Sequence, residues 1–146
     1  MALIKKKGFG FKRIKNEYKL VKANVPLKLA NEVQNHFLSG FRKGGGQTDA
    51  SIGGWKKRQT SRSARERKRS VGRALLVRSG KLRADIKKRK ISFSKVIVGT
   101  RSIPYAGYIN EGTSRMPQRE FIGDSRILEK KIENKINREV RKIFKL

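Results

Sequence analysis

The sequence predicts an α+β fold: a small antiparallel sheet of about four strands packed on a long C-terminal amphipathic helix, with an N-terminal helix and a long basic loop. Three stretches carry that prediction. In SRILEKKIENKINREVRKIFKL, residues 125–146, Leu128, Ile132, Ile136, Val140 and Ile143 or Phe144 recur at four- and three-residue spacing, the period of one helix face. In KKRKISFSKVIVGT, residues 87–100, strand-forming Val96, Ile97 and Val98 follow a turn around Ser92 to Ser94, as in an antiparallel hairpin. In NVPLKLANEVQNHFLSG, residues 24–40, Asn24 or Val25 lies near a helix cap, Pro26 occupies the first turn and Gly40 lies beyond the end.

Taken in chain order, residues 1–23 form an extended basic segment, in which Tyr18 and Leu20 alternate as on a strand. The first helix follows, with Leu27, Ala30, Val33 and Phe37 as its buried stripe and Leu29 and Leu38 alongside. From 41 to 72 apolar residues nearly vanish. Ile52 and Trp55 are offered to a core, GGG at 44–46 reads as slack, and the stretch reads as a flexible Arg/Lys/Gly-rich loop. In ALLVRSGKLRADI, residues 74–86, Ser79 caps a short helix through Leu82 or joins Gly80 in the turn before a strand. Strands are expected near 84–91 and 94–100, a helical turn at 104–111 stopped by Gly112, and a strand at QREFIG, residues 118–123. The closing helix of about 20 residues would be about 30 Å long.

A chain of 146 residues fits one domain, 1–146. With 36% hydrophobic and 34% charged residues, part of it is expected to order only against a partner. The absence of cysteine excludes disulfides and thiolate chemistry and suits a reducing compartment. Short apolar runs and the basic start MALIKKKGFGFKR predict neither secretion nor a membrane span. The 39 Lys and Arg against 11 Asp and Glu give +28, and residues 1–100 carry 28 − 5 = +23 of it. Such a charge attracts phosphate polymers or acidic protein surfaces.

Catalytic chemistry finds little support. One histidine, His36, borders the apolar stripe of the first helix, and one His without Cys cannot build a zinc site. Glu111, Glu120 and Asp124 stand near Arg115, Arg119 and Arg126, a pattern that suggests ion pairs rather than a nuclease centre. No phosphate-binding glycine motif is present, and GFGFK fails the dinucleotide pattern. The expectation is a protein that is not an enzyme and takes no cofactor or metal.

Nucleic-acid binding has more support, since Lys56 to Lys90 contains 16 bases and 2 acids, and arginines pair bidentately with phosphate. Stacking aromatics in that region are limited to Trp55 and then Phe93, which disfavours sequence-specific reading of single strands. A solvated basic loop docking on an acidic protein carries equal weight.

The order of short signals says more than any one of them: GGWKKRQ at 53–59, RALLVRSGKLRADI at 73–86, VIVGT at 96–100, IPYAGYINEGT at 103–113, MPQREFIGDS at 116–125, then a long helix. This series, over residues 53–146, resembles the phage virion morphogenesis or tail-completion family, related to head–tail joining proteins of tailed phages. Two departures stand out: the N-terminal part is reduced to one clear helix, and 58–72 is unusually Arg-rich. The resemblance implies a non-enzymatic component of the virion neck or tail end, present in the host cytoplasm before assembly. It further implies a cyclic homo-oligomer, six- or twelve-fold, with portal, neck or tail proteins as partners around the DNA channel.

As family scaffold it singles out Trp55, Gly80, Leu82, Arg83, Tyr105, Ala106, Asn110, Glu111, Gly112, Pro117, Arg119, Phe121 and Gly123. As protein-interface or DNA contacts it leaves Lys56, Lys57, Arg58, Arg62, Arg65, Arg67, Lys68, Arg69 and Arg115. Interface roles fit Glu111, Arg115 and Arg119 best, while most of 103–123 reads as core and turn geometry.

Charge arithmetic bears on the DNA channel. Six copies would carry 6 × 28 = +168, whereas a duplex crossing a layer of about 30 Å presents about 18 phosphates at one per 1.7 Å. Most of the charge is therefore expected to face acidic neighbours and solvent, with a minority lining the channel.

Overall fold

The computed structural model describes residues 10–46, 48–49, 54–57 and 74–144. Its spine is α1, Phe11–Lys43, a helix of 33 residues and about 50 Å at 1.5 Å per residue. Residues 11–23, expected to be extended, are thus helical. Lys12, Lys15, Lys19 and Lys22 stand three and four residues apart, in register with buried Pro26, Ala30, Phe37 and Phe41 and half-buried Val33. Phe11, Ile14, Tyr18, Val21 and Val25 also recur at three- and four-residue spacing, on another face of the helix, a helical period that the Tyr18 and Leu20 alternation masks.

Pro26 accordingly lies inside the helix instead of in its first turn, where its missing N–H costs about 3 kcal/mol that packing must offset. Leu27, expected in the buried stripe, is 47% exposed, because Pro26 holds the inward position. The helix also runs through Gly40 and stops at Gly44, which takes a left-handed conformation, φ 69°. A Cβ on Gly45 would lie 2.7 Å from Gly54 Cα. The GGG stretch is therefore a helix stop followed by a tight backbone crossing, not slack.

The helical turn α2, Lys81–Ala84, follows Gly80. β1, Lys87–Ile91, and β2, Val96–Gly99, pair antiparallel from Lys87↔Gly99 to Ile91↔Val96, with a bulge between Lys88 and Lys90. The turn closes through Ser92 N–H to Lys95 O, 3.0 Å. These are the two strands among the described residues, in place of the four expected. α3, Ala106–Glu111, ends at Gly112 as anticipated. Residues 118–123 are not a strand, because their N–H groups are taken by α3 instead of by a neighbouring strand.

α4, Arg126–Phe144, is the expected C-terminal helix. Ser125 Oγ accepts the Leu128 N–H at 3.3 Å and the Asp49 carboxylate accepts the Arg126 N–H at 3.1 Å, so two side chains cap its start. Lys28 pairs with Glu139 at 2.9 Å and Glu32 with Lys135 at 2.6 Å; α4 therefore runs antiparallel to α1. This pairing turns the inward face toward Leu128, Ile132, Glu139 and Ile143, leaving Ile136 and Val140, expected inside, 37% and 40% exposed.

The core lies at the C-terminal end of α1. Phe37 and Phe41 meet Trp55, Leu82, Ile86, Ala106, Phe121 and Leu128. His36, expected at a boundary, is 2% exposed, its ring edge-on to Phe37 at 5.9 Å. Phe41, 1% exposed, touches both Trp55 and Phe121 edge to face at 5.5 and 5.6 Å. Phe41→Ala should lower unfolding free energy by about 3–5 kcal/mol, whereas Ile136→Ala should cost no more than about 1 kcal/mol; urea denaturation of both variants checks the contrast.

Candidate interface

The separated motifs meet around the Phe41, Trp55 and Phe121 rings. Trp55 is 7% exposed and donates its indole N–H to Glu120 O at 2.9 Å. Arg119 reaches back over the same crossing, its Nε and Nη2 donating to Lys56 O at 3.3 and 3.2 Å. Two side chains thus clamp 54–57 to 119–121. Trp55 is buried by this clamp and offers no face for base stacking.

Asn110 organises the other side. Its Oδ1 accepts the N–H groups of Phe121 at 3.0 Å and Ile122 at 3.1 Å, and Arg119 N–H donates to Ile109 O at 3.0 Å. Gly112 turns the chain between them. At φ 81° and ψ 174° it occupies a region open to glycine, and a Cβ would lie 2.8 Å from Gln118 N. Ala106 and Leu82 are buried, Pro117 is half-buried, and Gly123 rests against the Glu120 side chain and the Thr48 methyl. Gly80, φ 75°, leads into α2. Most scaffold residues singled out in the sequence therefore sit in one packed unit.

What that unit displays is α3 and the turn after it. Tyr105 is 44% and Tyr108 64% exposed, with Glu111 and Arg115 also exposed. Lys56 and Lys57 are exposed at its border, while Arg58, Arg62, Arg65, Arg67, Lys68 and Arg69 lie outside the described residues; of the flexible loop expected over 41–72, residues 41–43 are helix and Trp55 is buried, and the part from 58 to 72 is not described. The ion pairs expected among Glu111, Glu120, Asp124, Arg115, Arg119 and Arg126 do not form as drawn, since Arg126 pairs with Asp49 at 3.8 Å and Arg119 holds a carbonyl. Arg83 lines an open groove of about 360 Å³ between α1 and α2, together with Gln34, Leu38, Val77 and Ile86.

One structural residue was not singled out by motif reading. Asp85, 8% exposed, accepts the N–H groups of Arg101 at 2.8 Å and Ser102 at 2.9 Å through Oδ2, and Arg89 Nη2 at 2.9 Å through Oδ1. These bonds, the Arg101 N–H foremost, hold its carboxyl below the ordinary carboxylate range. The bulge in β1 lies at Arg89. The available signal was rarity: Asp85 is one of five acids in the first hundred residues. Glu139 is likewise held low, by Lys28 first and then Lys142.

Among the described residues no three His, Cys, Asp or Glu side chains are grouped to hold a metal ion, and no helix is long and apolar enough to cross a membrane. Comparison with protein-family models, curated proteins and solved structures finds no match for this chain.

Two outcomes are expected. Asn110→Ala strands two N–H groups and should destabilise by about 1–3 kcal/mol for each, measured by urea denaturation. A carboxyl whose folded pKa lies below its unfolded value contributes stability above the unfolded value, about 4, and loses it as pH falls through the folded one. Wild type should therefore melt above Asp85→Asn at neutral pH, and the difference should close in a thermal-melt series as pH drops below about 4.

Proposed function

We propose that this chain is a non-enzymatic structural protein of a tailed-phage virion, a tail-completion or head–tail connector subunit that assembles as a ring with portal, neck or tail proteins. The observation that carries the reading is the charge balance of the displayed motif surface. Residues 105–130 contain four bases and four acids, a net of 4 − 4 = 0, in a chain of +28. Copies of so basic a protein repel one another unless they meet through a surface free of net charge. Tyr105 and Tyr108, exposed on a rigid turn, are the residue type enriched at interface centres. Glu111 and Arg115 supply opposite charges at the rim of the same surface. The resemblance of the ordered motifs to the tail-completion family supports the same assignment, with the virion as its location and the host cytoplasm as its site of synthesis.

A second reading, a basic protein that binds nucleic acid through phosphate contacts, is favoured by the opposite end of the molecule. The two readings are compatible.

Under the first reading, cryo-electron microscopy of the purified particle should show a closed ring of this chain at the neck or tail end. Tyr105→Arg/Tyr108→Arg, folded by circular dichroism, should fail to enter particles. A particle without the chain, or normal incorporation of the double variant, would refute it.

A further inference from the structure

The inward stripe of α1 changes character along its length. From 26 to 41 it is apolar and covers the core; at Lys12, Lys15, Lys19 and Lys22, in the same register, it is exposed and cationic. Lys22 Nζ stands 5.5 Å over the Phe93 ring, which is 58% exposed, so the hairpin tip with exposed Lys90 and Lys95 lies against the same stripe. The antiparallel pairing of Lys28 with Glu139 carries the end of α4, with exposed Arg138 and Arg141, along another face of α1 to the level of the C-terminal limit of the stripe.

Residues 11–22, 87–95 and 138–144 together hold 13 bases and 2 acids, a net of 13 − 2 = +11, against zero for 105–130. One acid of the two, Glu139, is already matched by Lys28 and Lys142. No ion pair to another described residue engages the four lysines of the stripe.

We infer that this end of the molecule, the lysine stripe of α1 with the hairpin tip, is a binding surface for the phosphate backbone of duplex DNA, read without regard to sequence. A straight row of like charges at intervals of about 4.5–6 Å along a rigid helix suits a regular linear polyanion better than the short, irregular acidic patch of a globular protein. Lysine, a point charge on a flexible stem, follows phosphates without reading bases. The inference stands apart from the ring assignment: it concerns the opposite end of the chain and needs no oligomer.

The test is equilibrium binding of the full-length protein to a labelled mixed-sequence duplex across a salt series. Lys12→Gln/Lys15→Gln/Lys19→Gln/Lys22→Gln should make the log K against log salt slope shallower by about 3–4, at about 0.9 per contact. An equal-charge control, Arg78→Gln/Lys81→Gln/Lys130→Gln/Lys131→Gln, should leave the slope nearly unchanged. Glutamine keeps the helix propensity of lysine, and far-UV circular dichroism checks that α1 persists; if the quadruple variant loses helix, single Lys15→Gln and Lys19→Gln should each reduce the slope by about 0.9. Equal loss in stripe and control variants, or none in the stripe variant, would overturn the inference. Preferential binding of polyglutamate, or binding confined to single strands and abolished by Phe93→Ala, would overturn it in favour of an acidic protein or a stacked single strand.

Discussion

Phe41 is the point at which distant parts of the chain are held together. Its ring is wedged edge-on between Trp55 and Phe121, and each of those brings its own segment with it. The Trp55 indole and the Arg119 guanidinium make reciprocal bonds to backbone carbonyls across the crossing. Segments with little regular structure are thereby fixed by one apolar contact and the polar bonds around it. Because the indole N–H is satisfied inside the cluster, burial of Trp55 adds apolar area without leaving a polar group unpaired.

The scarcity of acids makes each one consequential. Glu32 and Glu139 receive lysines where α1 crosses α4, Asp49 caps α4, and Asp85 gathers two backbone N–H groups and Arg89 at the hairpin base. In a chain of +28 these carboxylates do more than form surface pairs, which are weak. Asp85 accepts the part-buried N–H groups of Arg101 and Ser102, and the buried Glu139 carboxylate is matched by two lysines. The structure uses its few negative charges where elements meet, and positive charge accumulates elsewhere.

That accumulation divides the molecule. Residues 105–130, packed at the C-terminal end of α1, carry no net charge and display tyrosines, while the N-terminal end of α1, the hairpin tip and the end of α4 are basic. A helix of 33 residues joins the two. Like charge at the second end disfavours self-contact there. A charge distribution of this kind over the described segments suits a subunit placed between other proteins and a polyanion, which is the setting proposed for it.

Local patterning determined a good deal. The α+β class, the C-terminal helix from residue 126, the hairpin around Ser92 to Ser94 and the helical turn stopped by Gly112 all follow from apolar period, β-branched runs and turn residues, which act over a few neighbours. Tertiary structure decided the rest. Residues 11–23 became helix by continuing a helix already anchored at Phe37 and Phe41, and 118–123 gave up strand pairing because Asn110 and Ile109 took their N–H groups. The inward face of α4 was set by Lys28 and Glu32 on another helix, and Asp85 acquired its role from residues sixteen and seventeen positions away. Helical and strand periods are properties of adjacent residues and can be read along a chain. Hydrogen bonds and ion pairs between distant segments exist only once the apolar core has brought them within reach.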